Sequence, residues 1–114
     1  MIIKFFNISL IFYYFLGMKN LKTFNLISGK FLPEESREIL SGIFSSKIQF
    51  HQMKNFTSRA RLGKEDKLAL KRIIQLKMDV AEIMKMIQIA EENGLVLEMK
   101  SIVVINFAQP NINV

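Results

Sequence analysis

A seven-residue repeat of apolar side chains between Lys64 and Gly94 limits what this chain can fold into more than any other feature of its sequence. The repeat consists of two interleaved series: Ile73, Val80 and Ile87, and, three or four residues away from these, Ala69, Leu76, Ile83 and Ala90. Such spacing places one apolar stripe along a helix, as in the a and d positions of a coiled coil. The sequence therefore predicts one long amphipathic helix that packs against a partner helix along its length.

The partner helix is predicted upstream, over about residues 33–54. Pro33 suits the first turn of a helix because its missing N–H would be unpaired there, and the two acids next to it complement the positive end of the helix dipole. Apolar residues continue at broadly helical spacing: Ile39, Leu40, Ile43, Phe44, Ile48, Met53 and Phe56. This spacing favours a helix over a strand.

Residues 55–64 are predicted to connect the two helices, with a break at Gly63. The second helix is predicted to span about 65–93 and to end at Asn93-Gly94, because either residue tolerates the left-handed conformation of a helix C-cap. Since the connection is short, the two helices should pack as a long antiparallel hairpin.

Short strands are predicted on both sides of the hairpin, over about residues 21–28 and 95–107, with a turn at 28–30. The run Ile102–Ile105 is apolar without interruption, which is typical of a strand buried on both faces. A lone two-stranded sheet is only marginally stable in water. We therefore expect an α+β fold in the order β-α-α-β, with a second copy of the chain completing the sheet in a homodimer.

The first seventeen residues differ in composition from the rest, because an almost continuous apolar run comes after Lys4. Three interpretations stay open: residues 1–17 precede a true start of translation at Met18, they form a targeting or anchoring segment, or they belong to the core. The run is short for a membrane-spanning helix and lacks a convincing cleavage site. We predict a single small domain over 18–108 and a frayed tail over 109–114.

The residue types present exclude several kinds of chemistry. The chain has no cysteine, which rules out disulfides, thiolate zinc sites and cysteine nucleophiles. The single histidine, His51, has no acid between Glu38 and Glu65 to orient it and no further ligands at metal spacing, so we expect a structural role. No catalytic set and no cofactor loop is discernible. The sequence thus predicts a protein that is not an enzyme and has no metal or cofactor.

The acidic pairs in the chain are interpreted as structural. The pairs at 34–35 and 65–66 precede or open the predicted helices, where carboxylates stabilise unpaired N–H groups. The pair Glu91-Glu92 lies in a last helical turn, where acids are mildly unfavourable, and solubility is the only reason that the sequence offers for it.

A basic cluster is the best candidate for a binding site. Between Lys54 and Arg72 the chain carries seven basic residues against two acidic ones, which supplies +5 of the net charge of +6. Six of these are predicted to contact a polyanion: Arg59, Arg61, Lys64, Lys67, Lys71 and Arg72. Binding to phosphates would weaken steeply with salt. No recognised nucleic-acid motif accompanies the cluster, and a solvated basic surface is the alternative.

Three functions are compatible with these patterns. The first is a structural or interaction protein that self-associates through its strands and the apolar flank of the second helix, where Met78 and Met86 fall outside the repeat. The second is a nucleic-acid-associated protein that contacts phosphates through residues 54–72. The third is a membrane-anchored or exported protein, which requires that residues 1–17 are translated and retained. A cytoplasmic location is expected for the first two.

Overall fold

In the computed structural model, which describes residues 22–110, the chain folds in the order strand, helix, helix, strand. The elements are β1 (Lys22–Phe31), α1 (Pro33–Leu62), α2 (Lys67–Glu92) and β2 (Leu97–Ile105), and β1 pairs with β2 in a two-stranded antiparallel sheet. The predicted α+β class and β-α-α-β order are confirmed. The predicted extension 1–17 lies outside the described residues, as do residues 111–114 of the predicted tail.

The hairpin belongs to a compact unit that spans Lys30–Met99, in which α1 and α2 pack against each other. The seven residues of the repeat in α2, here called the apolar seam, supply its core. Five of them are buried and two are half-buried: Ala69, Ile73, Leu76, Ile87 and Ala90, and then Val80 and Ile83. Ile87 has no exposed surface at all. The periodicity therefore predicted the core of the hairpin correctly.

One face of α1 is formed by residues that recur every three or four positions: Ser36, Leu40, Phe44, Ile48, His51, Asn55 and Ser58. Ser36 and Asn55 are buried and the others half-buried, as are Pro33, Arg37 and Ile39 near the start of the helix. The last three residues of this face, those nearest the turn between the helices, are all polar. The inner face of α1 is thus apolar along its middle and polar toward the turn.

Helix α1 is longer than the sequence predicted. It continues to Leu62 instead of ending near residue 54, so the predicted connection over 55–64 is wrong and shrinks to residues 63–66. The polar residues that indicated a loop are helical because Asn55 and Ser58 direct hydrogen bonds at the turn. The predicted break at Gly63 is correct: this glycine ends α1 with φ 69°, and its N–H donates to the carbonyl of Arg59 at 3.0 Å.

The opposite end of the hairpin, here called the base, is closed by hydrogen bonds at both helix ends. The backbone N–H of Leu32 donates to Glu35 Oε1 at 2.9 Å, which leaves one fewer unpaired donor at the start of α1. At the end of α2, Gly94 adopts φ 64° and the N–H of Leu95 donates to the carbonyl of Ala90 at 2.8 Å. This is the glycine-terminated helix end that the sequence predicted.

The base also explains the acidic pair Glu91-Glu92. Arg37 Nη2 in α1 donates to Glu91 Oε1 in α2 at 3.1 Å, and Gln88 donates to Glu92 at 3.1 Å within α2. Both members of the ion pair are about half exposed, so its contribution to stability is small, of the order of 0–1 kcal/mol. Its effect is to tie the first turn of α1 to the last turn of α2.

The second unit contains residues 22–29 and 100–110 and holds most of the two-stranded sheet. The predicted turn at 28–30 is wrong, because β1 continues through it to Phe31, and Gly29 keeps its place in the strand with φ 145°, a value that favours glycine. β2 is shorter than predicted, since Leu95 is engaged in the helix end. Ile27 is the one buried residue of either strand. The prediction that the run Ile102–Ile105 is buried on both faces is wrong for the single chain, in which all four residues are exposed.

Candidate polyanion-binding site at the hairpin tip

The structure brings the six predicted binding residues together at the turn end of the hairpin. Two lie in the last turn of α1, one in the turn itself and three in the first two turns of α2: Arg59 and Arg61, Lys64, and Lys67, Lys71 and Arg72. All six side chains are exposed. We call this group the basic tip. The chain reverses direction within residues 63–66, and this brings the basic residues of both helices to the same end of the hairpin.

A buried amide holds the turn in place. Asn55 is 8% exposed; its Nδ2 donates to Glu65 Oε2 at 2.8 Å, and its Oδ1 accepts from the backbone N–H of Asp66 at 2.6 Å. Ser58 Oγ adds a third link by donating to the carbonyl of Lys64 at 2.8 Å. A buried polar group that is fully paired in this way fixes local geometry, because either unmade bond would carry a desolvation cost.

The two acidic residues at 65–66 have different roles. Asp66 is the N-cap of α2, and its Oδ1 accepts from the N–H of Ala69 at 3.0 Å, as the sequence predicted. Glu65 does not cap the helix. It binds Asn55 and forms an ion pair with Arg59, with 3.5 Å between Arg59 Nε and Glu65 Oε1. Arg59 is therefore engaged within the hairpin.

The other five residues of the basic tip form no ion pair within residues 22–110. Their charges face solvent without a carboxylate within 4 Å, and they belong to two helix ends that the Asn55 bonds hold together. A group of exposed cations on a rigid support attracts anions at long range and binds phosphate oxygens without first having to order the backbone.

An open groove of about 620 Å³, here called the tip groove, lies beside the basic tip. Its apolar lining comes from Phe50, Met53 and Leu62, and cationic side chains come from Lys54 and Arg61. This groove was not predicted from the sequence. Positions 50, 53, 54, 57 and 61 do recur at helical spacing, but only the packed structure shows that Phe50, Met53 and Leu62 are each more than half exposed.

His51 is the other unusual residue of this end. Neither of its ring nitrogens is exposed or has a hydrogen-bond partner, and its ring meets Phe50 edge-on with 5.1 Å between centroids. Burial lowers the pKa of His51 below its usual 6.5, and the charges of Lys47, Arg72 and Lys54 lower it further, against a smaller opposite effect of Asp66. The unpaired ring nitrogens and low pKa fit a neutral imidazole in the helix interface.

Within the described part of the chain, no group of three or more histidine and acidic side chains is arranged to hold a metal ion. Neither α1 nor α2 has the apolar run that a membrane span requires. Comparison with protein-family models, with curated proteins and with solved structures finds nothing that matches this chain. The site is therefore argued from its own geometry.

The Asn55 bonds predict a specific loss of stability. We expect Asn55→Ala to lower the free energy of unfolding by about 1–3 kcal/mol, because the N–H of Asp66 and the carboxylate of Glu65 lose a buried partner. Gln52→Ala, at an exposed position of the same helix, is the matched control and should change it by less than about 0.5 kcal/mol. Urea unfolding monitored by circular dichroism measures both. Equal effects of the two substitutions would contradict the assigned role.

The lowered pKa of His51 predicts that acid weakens the fold. Between its folded pKa and about 6.5 the unfolded chain binds more protons, so stability is fully present above that range and is lost as pH falls through it. We expect the melting temperature to fall as the pH is lowered from about 7 through 6.5 toward the folded pKa of His51. His51→Gln should flatten this dependence. A wild-type melting temperature that stays constant or rises toward acid would refute the assignment.

Proposed function

We propose that this chain is a small non-enzymatic interaction protein that self-associates, and that its two-stranded sheet is the surface that meets a second copy. The observation that carries the proposal is the exposure of apolar residues in both strands. In β2 the side chains of Ile102, Val103, Val104 and Ile105 are 37–55% exposed, and in β1 Phe24 and Leu26 are 50% and 55% exposed. Exposed apolar side chains in both strands of a small sheet are typical of an interaction site.

The described part of the chain buries too few apolar residues to favour an isolated monomer. Six apolar residues are buried within residues 22–110, whereas half of the whole sequence is hydrophobic. Two strands alone have open edges, and a two-stranded sheet needs further strands or a packed face for stability. A second copy of the chain would provide further strands for the sheet and an apolar surface that covers the exposed side chains of the first copy. We further propose that the protein needs no cofactor and is located in the cytoplasm.

Val104→Lys tests this interface. We expect the full chain to elute with a mass of about twice 13.2 kDa by size-exclusion chromatography with light scattering, and Val104→Lys to give the monomer, because a charge would enter the interface. Phe56→Lys is the matched control, since Phe56 is similarly exposed but lies in α1, outside the surfaces assigned to self-association (60% against 55% for Val104). A monomeric wild type, or an unchanged mass for Val104→Lys, would rule out the strand interface.

A second proposed function is the binding of a phosphate-bearing polyanion through the basic tip. The observation in its favour is that all six residues are exposed and five have no ion pair in the described part of the chain. Such a surface binds by Coulomb attraction and counterion release, which does not depend on sequence. Nucleic acid is the polyanion that the sequence analysis predicted.

Charge reversal in the basic tip tests this second function. We expect Lys64→Glu with Lys67→Glu to weaken binding of labelled DNA and RNA by about tenfold or more at low salt and to reduce its dependence on salt. The matched control is Lys77→Glu with Lys85→Glu, two exposed positions of α2 outside the basic tip, which makes the same change in net charge. Fluorescence anisotropy measures both, and equal losses would assign binding to net charge alone.

A further inference from the structure

We infer that the hairpin tip docks on the surface of an anionic lipid bilayer, with apolar side chains of the tip among the lipid headgroups and the basic tip on their phosphates. The inference rests on the proposed binding of a polyanion and names the class of that polyanion. It is independent of residues 1–17.

The tip carries the two most exposed large apolar residues in the described part of the chain. Leu68 is 76% exposed and Leu62 is 67% exposed. They stand on either side of the turn, Leu62 as the last residue of α1 and Leu68 as the second residue of α2. Leaving both in water is unfavourable, and burial recovers free energy in proportion to the apolar area covered. Both lie at the turn end of the hairpin and are open to a surface that meets the tip.

The tip groove extends this apolar surface along α1. Phe50 and Met53 are each 56% exposed, and Lys54 and Arg61 lie beside them in the groove lining. Long basic side chains can keep their charge at the headgroups while their stems cover apolar neighbours. An apolar strip with basic residues beside it is the pattern of segments that lie in the membrane interface.

The two acidic residues of the turn are outnumbered by the basic ones, and both are engaged within the hairpin. Glu65 is bound by Asn55 and paired with Arg59, and Asp66 is occupied as the N-cap of α2. The cations nearest the two leucines, Arg61, Lys64 and Lys67, have no such partner within residues 22–110. Each basic residue near an anionic leaflet adds to attraction, and the effect is confined to about a Debye length.

The same features favour a bilayer over nucleic acid. A phosphate backbone would use the cations and leave Leu62 and Leu68 in water, since leucine offers neither a ring for base stacking nor a hydrogen bond. Single-strand binders combine their basic surface with a series of aromatic side chains, whereas the exposed large apolar residues nearest the turn are leucines and, among the described residues, the tip groove has a single aromatic one, Phe50. A bilayer interface satisfies both the charges and the apolar side chains.

Vesicle sedimentation with the full chain tests the inference. We expect binding to vesicles of phosphatidylcholine with about one third phosphatidylserine, and little binding to phosphatidylcholine alone. Leu62→Ser with Leu68→Ser should reduce partitioning by about tenfold or more. Ile74→Ser with Met78→Ser removes apolar side chains of similar exposure from α2 away from the tip and should leave binding unchanged. Residues 1–17 are common to all variants and cannot account for a difference between them.

Tryptophan fluorescence provides a second test, because it reports the contact of the tip with the bilayer directly and does not require a variant that loses binding. The chain has no tryptophan, so Leu68→Trp introduces a single reporter at the tip and Ile74→Trp one on α2. On anionic vesicles we expect a blue shift and shielding from a soluble quencher for Leu68→Trp, and neither for Ile74→Trp. No shift for Leu68→Trp on anionic vesicles, equal shifts for both reporters, or an equal shift of Leu68→Trp on neutral vesicles overturns the inference.

Labelled DNA in parallel separates this inference from the function on which it rests. Binding to DNA without binding to vesicles overturns the bilayer inference and leaves the polyanion function standing. Binding to neither overturns both. If Leu62→Ser with Leu68→Ser leaves binding to anionic vesicles unchanged, the contact depends on charge alone and the inference is also overturned.

Discussion

One line of contact between two helices is the constraint on which the described structure depends. The apolar seam of α2 is a narrow stripe, and a single partner helix covers a stripe but no more. Side chains outside it, such as Ile74, Met78, Met86 and Ile89, stay more than half exposed. A two-helix hairpin therefore cannot bury the apolar content of this sequence by itself. Self-association is proposed because of this limit, and the two strands add further exposed apolar side chains.

The turn end of the hairpin is organised by a different interaction, the buried amide of Asn55. Its two bonds fix the chain reversal and, through Glu65, draw one arginine of the basic tip into the hairpin. The same short turn leaves no loop in which the remaining cations could fold back onto acids. Polar residues of the interface thus determine which charges face solvent. Stability and the candidate binding surface depend on the same few hydrogen bonds.

Periodicity in the sequence predicted the regular features of this fold, whereas features that depend on a side chain's partner were missed. The seam, the hairpin and both glycine ends were predictable because each is local. The length of α1 was not, since Asn55 and Ser58 resemble loop residues until the turn they bond is known. For the site, charge clustering placed six residues at one end correctly. The Arg59–Glu65 pair and the tip groove required the packed structure, because only packing shows which cation is paired and which apolar residue is exposed.

The two proposed surfaces support one another physically. Two leucines and a few cations make a weak membrane contact, since interfacial binding scales with the apolar area buried and with charge. An assembly with two copies carries two tips, so that once one tip is bound the second binds as an intramolecular event at high effective concentration. A tip too weak to hold a monomer on a surface can then hold a dimer. The exposed apolar strands and the exposed apolar tip are each unfavourable in an isolated chain, and the proposed assembly and docking would cover both.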